Sequence, residues 1–212
     1  MSSLEKFISI KSIVDSLSSA TKIIVVTKNF NFEQIKSIID FGHTEFGENK
    51  VQEAKYKWND YLINSPINLH LIGRLQSNKS KEAVQIFNYI HSLDSLKLAK
   101  ELSKNEKILN KKVKYFVQIN IANEKQKGGI AEQDTSEFIK ICINELNLNI
   151  IGLMCVPPIH EDATIFFKKI SVIAKKNNLT HLSMGMSNDF KEAIKSGSTY
   201  VRIGSAIFGN RY

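Results

Sequence analysis

Only three prolines occur in the 212 residues, at 66, 157 and 158, and no proline-, glycine- or serine-rich tract divides the chain. With no linker, fixed-period repeat or low-complexity segment, one domain over residues 1–212 is expected. Long apolar runs are missing too. The start, Met1-Ser2-Ser3-Leu4-Glu5-Lys6, lacks the apolar stretch of a signal peptide, so neither export nor membrane insertion is expected and the location reads as cytoplasmic. Cysteine is scarce. Cys142 and Cys155 each lie in an apolar stretch, which reads as buried free thiols in a reducing compartment. Neither has the open, electropositive setting of a reactive thiol.

What is abundant is lysine, the main source of a formal net charge of +8. Lys97, Lys100, Lys104 and Lys107 recur at helical spacing, and no basic strand is interleaved with aromatics. That pattern fits solvated helix faces rather than a nucleic-acid surface. Local positive charge is better matched to a phosphate-bearing ligand than to a polynucleotide.

Short β-branched or apolar runs alternate with helical periods. Strands are expected over 23–27, 44–46, 69–72, 89–93, 113–121, 150–154, 181–183 and 200–203, and helices over 4–17, 32–39, 50–61, 79–87, 95–109, 135–146, 163–176 and 189–196. Eight such units predict an α/β fold, a single (β/α)8 TIM-type barrel with an N-terminal lead-in helix, with an open doubly wound sheet as the alternative. Polar and glycine residues follow the strands: Lys28, Gly47-Glu48-Asn49, Gly73-Arg74, Asn120 and Asn123, Gly185 to Asn188, Gly204-Ser205. In a barrel these ends share one face, where active sites are built.

Two glycine-containing turns, Ser183 to Asp189 and Arg202 to Gly209, follow the seventh and eighth strands. Barrels often hold phosphate there, on backbone N–H groups. Ser187 is expected to cap the helix beginning near Asp189 and Ser205 the last turn, while Gly204 admits close approach. Merely capped turns read equally well. Lys28 directly follows the run Ile23 to Thr27. In a partly desolvated cavity its amine becomes a Schiff-base nucleophile; otherwise it is a surface lysine past a strand. Two Schiff-base readings stay open on this ground, a class I aldolase and a pyridoxal 5'-phosphate (PLP) protein. His70 and His91, on apolar strands, read as hydrogen-bonded structural histidines. Glu48 and Glu53 read as helix-start, solvent-facing carboxylates. His160-Glu161-Asp162 lacks the spacing of a metal site.

Ordered motifs narrow the choice. Val26-Thr27-Lys28, Phe46-Gly47-Glu48-Asn49-Lys50-Val51-Gln52-Glu53, His70-Leu71-Ile72-Gly73-Arg74-Leu75-Gln76-Ser77-Asn78-Lys79, His91-Ser92-Leu93-Asp94, Leu182-Ser183-Met184-Gly185-Met186-Ser187-Asn188-Asp189 and Val201-Arg202-Ile203-Gly204-Ser205-Ala206-Ile207-Phe208-Gly209 resemble the pyridoxal phosphate homeostasis protein family, over about residues 4–212. Thr27, Gly128 and Ser205 depart mildly from that pattern. The resemblance implies the barrel also seen as the N-terminal domain of alanine racemase, with PLP as cofactor held as a Schiff base on Lys28. It implies that Ser187, Gly204 and Ser205 bind the phosphate, that Arg202 faces the pyridine nitrogen and that Asn49 lies near the ring. A guanidinium stays protonated and disfavours a proton on that nitrogen, weakening the electron sink.

The expected function is therefore a PLP carrier in intracellular PLP homeostasis with little or no turnover, and no catalytic residue is assigned. A PLP-dependent amino acid racemase is the alternative. Related racemases use a second, β-rich domain and a partner subunit's tyrosine. Here the sequence stops at Tyr212, immediately after the eighth-strand motif, so no such domain is expected. The expected partners are PLP and apo PLP-dependent enzymes, with no nucleic acid, no membrane and no metal, and the expected state is a monomer.

Overall fold

The computed structural model describes residues 1–59, 61–62, 65–124 and 126–209. Asp60 of the expected helix 50–61, and residues 210–212 of the expected domain, lie outside the described residues.

Eight parallel strands close into a barrel in chain order: β1 Lys22–Val26, β2 Glu45–Glu48, β3 Asn68–Leu71, β4 Tyr89–Leu93, β5 Lys114–Gln118, β6 Asn149–Met154, β7 His181–Met186 and β8 Tyr200–Ile203. Pairing of β8 with β1, Ile24 opposite Arg202 and Val25 opposite Ile203, completes the closure and rules out the open sheet. Outside lie α1 Ser3–Leu17, α2 Phe32–Asp40, α3 Val51–Trp58, α4 Ser80–Ile86, α5 Leu96–Leu109, α6 Thr135–Lys140, α7 Ala163–Lys176, α8 Phe190–Lys195 and α9 Ser205–Phe208. None of the helices among the described residues is long and apolar enough to cross a membrane.

The strands are apolar on both faces because both are covered. Ile23 and Val25 join the layer under the helices, with Ile35, Ile38 and Phe46. Ile24 points the other way, into a cluster with Tyr89, Phe116, Met154 and Tyr200 that fills the lumen. The lead-in helix α1 starts at a capping box, in which Ser2 accepts from Glu5 N–H and Glu5 reaches back to Ser2 N–H. Its buried face is Phe7, Ile10 and Val14, three or four residues apart.

Four expected elements differ in extent or type. The fifth strand ends at Gln118, because Asn120 turns into the following loop, its side chain bonding Glu124 N and O at 3.0 Å each. Asn120 is thus a loop-building residue. The expected helix 135–146 becomes π-helical over Ile141–Glu145, where the wider turn lets Leu146 N–H reach the Ile141 carbonyl at 3.1 Å. The two shortest expected strands, 44–46 and 181–183, both form and extend to Glu48 and Met186.

Candidate functional site

Strand alternation decides what faces the lumen at the carboxyl-terminal mouth. On β1 the inward series begins at Ile24 and steps through Val26, and Lys28 follows just past the strand, in a turn closed by Phe30 N–H on the Thr27 carbonyl at 3.1 Å. On β2 it runs through Glu45 and Gly47, where an added Cβ would meet Ile24 at 2.7 Å, and then to Asn49. Val26 pairs with Gly47, and Lys28 and Asn49 each lie two residues further along.

On the other side β1 runs along β8 and α9. A Cβ on Gly204 would lie 3.2 Å from both Val26 Cβ and Val26 O, and four residues further on Phe30 stacks on Phe208, ring centroids 4.4 Å apart. Lys28 lies between these two contacts, beside the start of α9. Gly204 has an ordinary φ of −130°, so it is the close strand contact that requires a glycine there. Ser187 does not cap α8 as expected. Its Oγ accepts from Ala206 N–H at 3.2 Å, while Asp189 Oδ1 accepts from Met186 N–H at 2.6 Å. Ser205 is the first residue of α9, with Gly204 at the cap position. Ser187, Gly204 and Ser205 therefore gather around one short helix start, beside the end of β1 that Lys28 follows.

Arg202 lies below, in the lumen, 5% exposed. Its Nη1 donates to Ser183 O at 2.6 Å and Ser183 Oγ at 2.7 Å, and its Nη2 to Cys155 O at 2.9 Å. A guanidinium has five N–H groups, and these bonds use three of them. Burial lowers its affinity for the proton, partly offset by Cys155 and Asp189, but a guanidinium remains charged in a protein.

The ends of β1 and β2 are pinned from outside the barrel, which corrects the reading of Glu48 and Glu53 as solvent-facing. Glu48 is fully buried because it falls on the outward face of β2, under α3. Its Oε1 accepts from Thr27 Oγ1 at 2.7 Å, Lys57 Nζ at 2.8 Å and Trp58 Nε1 at 2.9 Å. Glu53 accepts from the backbone N–H of Asn29 and from Lys57 at 3.3 Å. Lys57 also donates to the Thr27 carbonyl at 2.6 Å. Both chain neighbours of Lys28 are fixed in this way. The Glu53/Lys57 spacing of i,i+4 on one helix was the signal in the sequence that would have found this clamp.

His70 and His91 are buried and hydrogen-bonded, as expected. His70 Nε2 lies 2.7 Å from Glu45 Oε2, His70 Nδ1 2.9 Å from His91 Nε2, and His91 Nδ1 2.8 Å from Ser183 Oγ. Burial holds both imidazoles below their usual range. Burial alone would raise the Glu45 carboxyl, but the bonds and charges of His70 and Lys22 overcome it and hold the group at about 2. The two cysteines are buried and free, their thiols pushed up to about 12 by burial. No group of three or more His, Cys, Asp or Glu side chains among the described residues could hold a metal.

A cavity of about 680 Å³ lies to one side of this set, over β2 to β4. It shares Asn49 with the expected residues and none of the other five, and brings Lys50, Arg74, Lys79 and Lys97 around Asp94. The sequence did not single it out. Four cations against one carboxylate make it attractive to anions approaching the mouth.

A closed parallel barrel with polar residues converging at its carboxyl-terminal mouth defines the class. The model of the alanine racemase N-terminal domain family matches residues 9–212, and this chain belongs to that family. Within it, the relatives are pyridoxal phosphate homeostasis proteins. The one from Synechocystis is 35% identical over 212 residues, 94% of this chain and 95% of the relative, and one from Helicobacter pylori is 37% identical over 193 residues, 88% and 86%. PipY of Synechococcus elongatus, solved without PLP and with PLP bound, superposes with TM-scores of 0.90 and 0.88 at 31% identity, over 97% of this chain and 99% of PipY. An alanine racemase of Clostridium difficile, 13% identical, shares the fold over 93% of this chain and 55% of its own, TM-score 0.74.

Proposed function

We propose that this chain binds PLP at the barrel mouth as a Schiff base on Lys28 and serves intracellular PLP homeostasis as a carrier with little or no turnover. The observation that supports the reading is that Ser187, Gly204 and Ser205 meet at the start of α9, next to the end of β1 that Lys28 follows, with Arg202 buried on β8. The donor set fits the group. Amide and hydroxyl donors suit a phosphomonoester, and the guanidinium of Arg202 suits a ring nitrogen that carries no proton. When bound, PLP supplies an electrophilic aldehyde and a conjugated ring. Lys28 is the residue that would hold the group covalently, through its amine. Ser187 and Ser205 hold the phosphate, Asn49 borders the ring, and Arg202 keeps the ring nitrogen as an acceptor. That last role suits storage and release better than carbanion chemistry.

The purified protein, mixed with PLP, is expected to turn yellow and to form no D-alanine from L-alanine at rates near ~1 per second, the scale of ordinary enzymes. Racemisation at that rate, lost in Lys28→Ala, would establish the racemase reading instead. Arg202→Gln is expected to leave PLP bound with a shifted absorption band and an altered release rate. Complete loss of PLP from that variant would show that Arg202 has another role.

A further inference from the structure

Glu45 stands at the amino-terminal floor of the barrel, beside a cavity of about 280 Å³ that it lines with Lys22 and Thr21. Arg202 stands on β8, two strands away round the closed barrel. Between them runs the unbroken series Glu45, His70, His91, Ser183, Arg202, with every contact 2.7–2.9 Å long. The step from His91 on β4 to Ser183 on β7 spans the lumen, because β5 and β6 lie between those strands in the barrel.

The chemistry of the two ends gives the series a direction. A carboxylate only accepts and a guanidinium only donates. Glu45 therefore takes the Nε2–H of His70. A neutral His70 then offers Nδ1 as an acceptor, so His91 donates from Nε2. A neutral His91 likewise accepts at Nδ1, and the Ser183 hydroxyl donates to it. The Ser183 oxygen is left to accept from Arg202. All four hydrogens point toward the floor, and one choice made at Glu45 fixes the hydroxyl that Arg202 rests on. The surroundings keep that choice in place. Lys22 and Asn68 donate to the other Glu45 oxygen at 2.9 and 3.1 Å. Tyr89 stacks on His70 and Phe116 on His91, each at 4.3 Å, and Tyr200 lies 5.8 and 6.2 Å from the two imidazoles. Lys114 is turned to the Tyr89 hydroxyl at 3.2 Å and His181 to the Tyr200 ring at 5.8 Å.

We infer that Glu45 is a remote positioning residue for Arg202, acting through a one-way hydrogen-bond chain that sets the histidine tautomers and the Ser183 hydroxyl. Its consequence for the coenzyme rests on the reading that Arg202 meets the ring nitrogen of PLP.

Nitrogen-15 NMR of the coenzyme-free protein tests the chain by itself. His70 and His91 are expected as Nε2–H tautomers. Glu45→Gln, which can donate as well as accept, is expected to mix or reverse both tautomers and to shift the Arg202 signals. An Nδ1–H tautomer at either histidine of the wild type, or Glu45→Gln leaving all these signals unmoved, would overturn the inference. Ser183→Ala guards against a Glu45 variant that does not fold. It should shift Arg202 while leaving the His70 tautomer intact, and a His70 tautomer that changes with it would contradict the stated direction. With PLP added, Glu45→Gln is expected to shift the absorption band and speed release about tenfold, the equivalent of one weakened charge-assisted hydrogen bond. Tautomers that follow Glu45 while the PLP spectrum stays unchanged would sink the contact between Arg202 and the ring and leave the chain standing.

Discussion

Lys28→Ala is expected to abolish covalent capture of PLP. After borohydride treatment of the wild type, mass spectrometry should find the pyridoxyl adduct on the peptide containing Lys28, and the variant should carry none. The expectation follows from the two contacts that bracket Lys28 in the chain, Val26 with Gly204 and Phe30 with Phe208. They set the end of β1 beside the start of α9, where on the proposed reading Ser187 and Ser205 would offer hydroxyls to a phosphate. Removing the amine takes away the covalent bond and leaves the phosphate and ring contacts, so residual PLP should be washed out by dialysis. The competing outcome is concrete. The cavity over β2 to β4 carries Lys50, Lys79 and Lys97, and an adduct on one of these in the wild type would move the site across the mouth and remove Lys28 from it.

The parts of the molecule built from local apolar pattern were legible in the sequence. The runs at 89–93 and 200–203 and the helix at 163–176 have the bounds of β4, β8 and α7, because flanking turns end the hydrophobic period sharply. The turns after β7 and β8 were legible as sites for polar chemistry, but not in their pairing. Ser187 bonds across to α9 rather than to its own helix, and a contact between residues 187 and 206 leaves no trace in local spacing. β2 was the hardest to read. Its Glu-Phe-Gly-Glu sequence places one carboxylate in the lumen and one under α3, and periodicity assigns charges to water. Both are instead paired across elements distant in sequence: Glu45 with His70, and Glu48 with Thr27 and Trp58. The position of the large cavity was also beyond reach, since the sequence gives the eight strand ends but not which side of the mouth stays open.

Lys57 is expected to be worth more to stability than its place on an outer helix suggests. Its side chain is 6% exposed, and its amine is shared among the Thr27 carbonyl, Glu48 and Glu53. Replacing it with Met keeps the apolar stem but leaves Glu48 in a fully buried position without its cation. Breaking a buried pair from one side costs about 3–5 kcal/mol. With a urea dependence of about 1–3 kcal/mol per molar, Lys57→Met should lower the unfolding midpoint by roughly 1–5 M. Adding Glu48→Gln should recover much of the loss, since an uncompensated charge, rather than lost packing, is the dominant cost. A single variant as stable as wild type would mean that Glu48 does not need the Lys57 cation, and the clamp on β1 would then be unsupported. The same variant reports on the mouth. Thr27 and Asn29 flank Lys28 and are held by this network, so loosening it should slow PLP capture even under conditions where the barrel stays folded. Capture at the wild-type rate in a destabilised Lys57→Met protein would separate the two roles and confine Lys57 to stability.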